Sequence, residues 1–499
     1  MKKYVKLYCA VLCTVLCMTA AAVAEKTSIP SLYRYVLDNG LQLFVAENHT
    51  APLASVRLAV RGGSFAQDVE TTGMFHLFEH MMFEGNELYP DVISMDKAAK
   101  DMGAVGKNGF TSIDYVTYLF TIPSDQLYKG LEYWSYALRK PRLTEKSFEV
   151  EKKIVISEIE GTFSEPNTIR LYGLSQTLFP EYPWRLDVSG TAGLINDVTA
   201  AQLRHMLDTY YIPNNSAIFV GGDVNPDQVF EYVKELYGDW KRGTYPFTAD
   251  RSHASGTPLS NTEYRVFVNN RMSDSYARVN VMFRGPDGAY DSDDIYAGDV
   301  FDKLIDTPES GFKKLLLSND ELKIPDSDYI SSSAVTMRES SLIDFVGCLF
   351  EPESGLAERA KLFQSCIVDQ FVPQVLADKR YFTADEFKQV KQSIKDAGIY
   401  RSETASGLLD SVWNWWQITD DNFYFTYEEH IKKVKKADID AFLRSYVQGK
   451  HPLVIVTVSP AVYEAQKADF AAAGFTEITS DNAFWWKNPR YADLVKGAE

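Results

Sequence analysis

The apolar and polar positions of this chain fall into distinct patterns, each of which predicts an element. From Val56 to Arg61 the residues Val56, Leu58 and Val60 alternate with Arg57, Ala59 and Arg61, the pattern of a half-buried strand, and Gly62-Gly63 closes it with a turn. Between Gly73 and Gly85 the side chains Met74, Phe75, Leu77, Phe78, Met81, Met82 and Phe83 leave no polar face, which predicts a helix buried nearly all round. The stretch from Thr144 to Glu160 has a Thr start signal and an acid in its first turn, so it too reads as a helix. On it Glu151, Val155 and Glu158 share one face at i, i+4 and i+7, so two carboxylates and an apolar side chain can point inward together.

The pattern also repeats. Val198 to Tyr210 aligns without a gap with Val434 to Tyr446, and in that same alignment Ala217-Ile218-Phe219-Val220 meets Leu453-Val454-Ile455-Val456. Each half therefore holds an amphipathic helix and then an apolar strand in the same register, which predicts two copies of one fold. Between the halves, Gly243 to Pro258 is short of aliphatic residues and rich in turn formers, so the linker is placed at 243–259. With 499 residues, 45% of them hydrophobic, the chain can supply two domains of roughly 220 residues, at 25–242 and 260–499, each burying its own core.

The N-terminus adds a destination. Met1 to Lys6 is a basic lead, Leu7 to Val23 is almost wholly apolar, and Ala22-Val23-Ala24 precedes Glu25 as an A-x-A cleavage site. Residues 1–24 read as a cleavable secretory signal, which implies a periplasmic or secreted protein with no stable membrane anchor after cleavage; a retained anchor is the alternative. Cys9, Cys13 and Cys17 leave with that segment, and Cys348 and Cys366 remain, either as a pair or as two free thiols. The net charge of −17 becomes more negative once Lys2, Lys3 and Lys6 are removed, so nucleic acid is excluded as a partner.

Chemistry concentrates in the buried helix. His76, Glu79 and His80 are its only charged or imidazole groups before Glu84, and His76 and His80 lie one turn apart on the same face with Glu79 beside them. Unpartnered imidazole and carboxylate groups are costly in an apolar setting, and a metal ion supplies the missing partner. The spacing H-x-x-E-H is that of the inverted zinc peptidases. Catalytic zinc takes three protein ligands and leaves a fourth position open, so a third must come from elsewhere, and the inward acids of the 144–160 helix are the best source.

These motifs resemble the family of pitrilysin, insulin-degrading enzyme and mitochondrial processing peptidase. In that family a Glu well past the second His, on an acid-rich helix, completes the zinc site, and another Glu two turns earlier supports it. The separation of Glu158 from His80 is similar to the family's, and Glu151 lies two turns before Glu158. The resemblance thus implies one zinc ion held by His76, His80 and Glu158, with Glu160 as the fallback ligand. Glu151 becomes the acid that supports a ligand, and Glu79 the base that takes the proton of the attacking water. Val36 to Leu41, Val56 to Ser64, Pro183-Trp184, Gly190-Thr191 and Tyr210 to Asn215 are similar to further landmarks in the same order. Lys107-Asn108-Gly109-Phe110-Thr111 resembles the edge segment where an Asn faces the scissile peptide, so Asn108 is the implied substrate-binding residue; an ordinary Asn-Gly turn is the alternative there. The implied fold class is α+β, two homologous domains each built as a mainly antiparallel sheet with helices packed against it.

The second half departs from the family. Active single-chain members carry an Arg and a Tyr in a later domain, but the corresponding stretch here, Phe312 to Ile324, has neither. The resemblance therefore implies the zinc-bearing subunit of a two-chain clamshell, a metalloendopeptidase acting on peptide substrates, whose homologous partner chain supplies the Arg and Tyr; a homodimer is the alternative assembly. The competing function is a non-catalytic peptide-binding or assembly subunit, against which the complete set of His76, Glu79, His80 and Glu158 argues.

Overall fold

A computed structural model describes residues 25–27, 29–247 and 259–494, so the expected signal segment 1–24 and most of the expected linker lie outside the described residues. Two sheets organise the chain. The first contains β1 (Glu25–Lys26), β2 (Leu32–Val36), β3 (Gln42–Glu47), β4 (Leu53–Arg61), β5 (Val105–Thr111), β6 (Tyr115–Pro123) and β7 (Ser216–Gly222), in the order β1-β2-β3-β7-β4-β6-β5. The second contains β8 (Glu263–Val268), β9 (Tyr276–Arg284), β10 (Ile330–Val335), β11 (Leu342–Phe350), β12 (Leu453–Val458) and β13 (Thr476–Ile478), in the order β10-β11-β9-β12-β8-β13. Most pairings are antiparallel, and helices pack on both sheets, as the α+β expectation requires.

The repeat seen in the sequence is a repeat of topology. Helix Ala200–Tyr210 leads into β7, which lies parallel to β3 and antiparallel to β4; helix Lys436–Tyr446 leads into β12, which lies parallel to β8 and antiparallel to β9. Both strands are central and apolar at nearly every position, as a strand covered on both faces must be. The register also relates β4 to β9. Ala217 and Leu453 are equivalent in the repeat, and Ala59 pairs with the first as Met282 pairs with the second, so Ala59 corresponds to Met282 and Arg61 to Arg284.

What covers the second face of each sheet departs from expectation. The alternation along β4 predicts a half-buried strand, yet Arg57 is only partly exposed and Arg61 is buried. The cover comes from the other half. Leu408, Leu409, Val412 and Trp416 of helix Ala405–Ile418 pack on Leu32, Phe44, Ala59, Ala217 and Phe219 of the first sheet. In return Leu174 and Leu178 of helix Pro166–Leu178 pack on Phe267, Met282, Leu453, Ile455 and Ile478 of the second. Each crossing ends on an arginine at the end of a sheet strand. Arg61 donates from Nε to the Trp416 carbonyl at 2.9 Å and from Nη2 to Asp421 at 2.7 Å, with its guanidinium 4.3 Å from the Trp416 ring centre. Its counterpart Arg284 donates from Nε to the Leu178 carbonyl at 2.6 Å and from Nη2 to Glu181 at 2.8 Å, over the Phe179 ring at 5.1 Å. The helix carbonyls so capped lack intrahelical donors, and a buried cation at a helix C-terminus meets the negative end of its dipole.

Cys348 and Cys366 are both free thiols, and Cys366 is buried. Among the described residues no helix is long and apolar enough to cross a membrane.

Two stability tests follow from this packing. Arg61→Met keeps the bulk but removes the donors to Trp416 and Asp421, and about 2 kcal/mol of stability should be lost, read as a lower urea midpoint. Asp299 lies largely covered in helix Ser292–Asp306, where desolvation outweighs the hydrogen bond from Tyr427 and pushes its carboxyl up to about 7. Because the unfolded value is about 3.9, this group's contribution is complete below that pH and declines as pH rises through 7. Thermal midpoints of Asp299→Asn should therefore fall less between pH 5 and pH 8 than those of the wild type.

Candidate metal centre

Helix Met74–Met81 starts at Gly73, whose φ of 85° is left-handed, and carries Met74, Phe75, Leu77, Phe78 and Met81 into the core of the first half. That packing fixes the rotation of the helix and so decides where its polar side chains point. His76 and His80 stack edge to face with ring centres 4.9 Å apart. Helix Glu145–Thr162, capped by the Thr144 side chain on the Ser147 N–H, runs alongside and buries Phe148, Val155 and Ile159. Burial of Val155 turns Glu151 and Glu158, one turn on either side of it, toward the histidines.

Each imidazole offers Nε2 to the same carboxylate oxygen, Glu158 Oε2, at 3.8 Å from His76 and 3.5 Å from His80. Among the described residues this is the single group of three metal-type donors whose ligand atoms lie within 4.8 Å of one another. Ligands at tetrahedral angles around zinc, with bonds of about 2.0–2.1 Å, are separated by roughly 3.3 Å, so the spacing fits a shared cation. The protonation of His76 fits as well. Burial, aided by the charge of His80, lowers His76 to about 4 and keeps it neutral, the form that offers a lone pair to a metal. His80 Nδ1 meets Glu151 Oε2 at 3.1 Å, which directs Nε2 toward Glu158. Burial opposes a charge on His80, but the Glu151 hydrogen bond and the carboxylates of Glu158 and Glu79 prevail and raise its pKa.

Glu79 is buried beside this group. Burial raises its pKa, tempered by the Thr111 hydroxyl, which donates to Oε2 at 2.8 Å. Gly109 closes over the other oxygen so tightly that a Cβ there would lie 2.8 Å from Glu79 Oε1 and 3.1 Å from the Phe83 ring. Both contacts come from β5, the free edge of the first sheet.

The structure thus brings His76, Glu79, His80, Glu151 and Glu158 together and leaves the fallback ligand aside. Glu160 is exposed and makes no part of the three-donor group. Asn108 lies in an edge strand rather than a turn, but it is exposed, and its Oδ1 accepts the N–H of Gly109; the β5 residues that reach Glu79 are Gly109 and Thr111. Sequence reasoning passes over Thr111 and Gly109, although alternate residues of one strand share a face and both stand in the segment that holds Asn108. It also passes over Glu84, which hydrogen-bonds Glu151 and is pushed up to about 7 by burial and by the Glu151 charge. In the second half, Arg338 donates its backbone N–H to Asp114 at 3.1 Å and lays its guanidinium over Phe247 and Phe65, while Tyr329 packs on Phe350.

Residues 43–192 match the model of insulinase, peptidase family M16, and residues 197–333 match that of the peptidase M16 inactive domain. The chain belongs to the M16, insulinase-like peptidases. This M16 chain is 30% identical over 168 residues to the uncharacterized zinc protease YmfH of Bacillus subtilis, covering 33% of the chain and 37% of that protein. It is 25% identical over 210 residues to a probable mitochondrial-processing peptidase subunit beta of Arabidopsis thaliana, covering 42% and 39%. In both cases the match spans well under half of the relative. Its fold is similar to the first half of the periplasmic protease PqqL from Escherichia coli, with a TM-score of 0.68 at 15% identity over 91% of this chain and 97% of that one.

Carrying the offset that relates Arg61 to Arg284 into the following helix without a gap sets Asp299, Asp302 and Lys303 against His76, Glu79 and His80, and by strand register Gly109, which pairs with Tyr118, corresponds to Ser332, which pairs with Phe345. Ser332 Oγ donates to Asp302 at 2.7 Å, so a shorter acid and a longer neighbour fill the space that glutamate and glycine share in the first half.

The crowding at Gly109 can be tested directly. Gly109→Ala should displace the Glu79 carboxylate and cost about 1–3 kcal/mol through overpacking, measured by denaturant unfolding, with the lost Thr111 contact visible in a crystal structure.

Proposed function

We propose that this chain is a zinc metalloendopeptidase of the periplasm or another secreted compartment, and that it acts as the zinc-bearing subunit of a two-chain clamshell. The catalytic domain is taken as residues 25–242, followed by a linker at 243–259 and a degenerate homologous domain at 260–499. The observation that carries the reading is the convergence of two imidazole nitrogens and the Glu158 carboxylate beside a buried Glu79.

His76, His80 and Glu158 would hold one zinc ion. When bound, zinc supplies Lewis-acid chemistry, acidifying water and polarising a peptide carbonyl. Glu79 is the proton carrier. Thr111 holds its carboxylate in place, and the carboxylate would accept a proton from the attacking water and return it to the leaving nitrogen; the raised pKa suits both transfers. Glu151 orients His80 through Nδ1. An extended peptide would add to the free edge of β5 through main-chain hydrogen bonds, with Asn108 on that edge to receive its polar groups.

The need for a partner rests on the second half. Phe312 to Ile324 holds no Arg and no Tyr, Arg338 is committed to packing between the halves, and Tyr329 is packed on Phe350. A homologous chain bearing both groups would complete the pocket. The mitochondrial-processing relative is named as one subunit of a larger enzyme, which is in keeping with such an assembly.

Metal analysis of the purified chain should give one zinc per chain. Glu79→Gln should keep that zinc while peptide cleavage by the assembled enzyme falls at least about a hundredfold. Cleavage that survives Glu79→Gln, or a chain that binds no zinc, would return the protein to a non-catalytic peptide-binding or assembly role. The chain alone should cleave an unstructured peptide far more slowly than it does with its partner.

A further inference from the structure

The last described stretch of the chain belongs to the second half by order and is seated in the first. Phe484 and Trp485 are each 1% exposed, and Val69, in the loop that launches the His76 helix, packs in one cluster with Trp485 and Tyr491. Tyr491 donates its hydroxyl to the Pro180 carbonyl at 2.7 Å, and Gln176 donates to the carbonyl of Ala483 at 2.6 Å. A chain end frays unless it is tied down, and these contacts tie it.

Two lines of contact run from this segment to the two helices that carry the candidate ligands. The first is a relay of hydrogen bonds. Trp485 donates from Nε1 to Asp187 Oδ2 at 2.9 Å, and Asp187 Oδ1 accepts from the N–H groups of Ser189 and Gly190 at 3.1 and 2.9 Å. That carboxylate shapes the 187–190 turn, whose own carbonyl at Asp187 accepts Gln67 Nε2 at 3.0 Å; Gln67 Oε1 in turn accepts the N–H of Gly73 at 2.9 Å. Gly73 is the residue on which the helix of His76 and His80 begins, and it has no room to move, since a Cβ there would lie 2.4 Å from the Ser189 carbonyl oxygen. The second line is aromatic. Phe484 and Trp486, on either side of Trp485, pack against Phe163 in tilted pairs at 4.9 and 5.2 Å between ring centres, and Phe163 caps the C-terminus of the helix that carries Glu158.

We infer that the aromatic run Phe484-Trp485-Trp486 is a positioning device for the metal centre, fixing the start of the histidine helix against the end of the glutamate helix. The inference rests on the reading of His76, His80 and Glu158 as ligands. Two ligands come from one helix and the third from another, so a metal site held to within about 0.5 Å needs those helices held to the same tolerance. Trp485 and Asp187 are positioning residues. Neither touches the three donors, and each acts through the backbone that aims them.

The test uses the full chain and the variants Trp485→Phe, which keeps the ring but removes the N–H, and Gln67→Met, which cuts the relay at its other end. Hydrogen exchange of the metal-free proteins is expected to show amides 77–82 exchanging several-fold faster in both variants, with β4 and β12 unchanged. Zinc affinity, read by chelator competition, should fall about tenfold, the usual scale for groups that orient a ligand. Trp413→Phe, on the crossing helix away from this relay, should change neither. Exchange that rises uniformly across the protein, or unchanged amides 77–82 with unchanged zinc affinity in both variants, would overturn the inference. Should Trp485→Phe fail to fold, Gln67→Met decides it. A wild type that binds no zinc would end the ligand reading, and the exchange pattern would still show whether the chain end holds the helix.

Discussion

The arrangement at the centre of the first half is a concentration of ionisable groups at the margin of an apolar core. Two imidazoles and the carboxylates of Glu79, Glu151 and Glu158 stand on two adjoining helices, with Glu84 just past the end of the first; Glu79 and Glu151 are buried, the imidazoles half-buried and Glu158 exposed. Carboxylates brought together in low dielectric repel one another and lose hydration, a cost of several kcal/mol per ion in general. The directions of the pKa shifts register it: Glu79 and Glu84 both move toward their neutral forms, and His76 refuses a proton. A divalent cation at the point where three donors meet would relieve much of that repulsion. The helix pair, the edge strand above it and the chain end beneath it can all be understood as the frame for that single electrostatic requirement.

Comparison of the halves shows how much of the frame they share. The same order of five strands, the same helix before the central strand and the same arginine at the end of the long strand persist in both. What differs is filling. In the first half a glycine lies against the Glu79 carboxylate; in the second a serine bonds Asp302, and Lys303 stands at the position of His80. Lys303 is exposed and sets its ammonium 3.4 Å from Asp302, so that acid already has a cation beside it.

The fold and the donor set were legible because both depend on local pattern. His76, Glu79 and His80 share one helical turn, Glu151 and Glu158 share one face of another, and the repeat of helix and strand survives in register because a central strand tolerates no slip. The edge strand was legible only as a resemblance, and there the emphasis fell on Asn108, while Gly109 and Thr111, the residues that touch Glu79, carried no signal beyond alternation. The exchanged helices were illegible. Arg57 and Arg61 read as a polar face because sequence alternation reports polarity, not what lies above it, and a guanidinium stacked on tryptophan satisfies that polarity while buried. The relay from Trp485 to Gly73 joins opposite ends of the chain, beyond the reach of any periodicity.

The reciprocal exchange of helices also governs the order in which the molecule can be made. When β7 leaves the ribosome the first sheet is complete, but the helix that roofs Phe44, Ala59 and Phe219 begins only at Ala405. Until that helix docks, the apolar sheet face is bare, so a chain truncated before Ala405 would keep it exposed and be prone to aggregate.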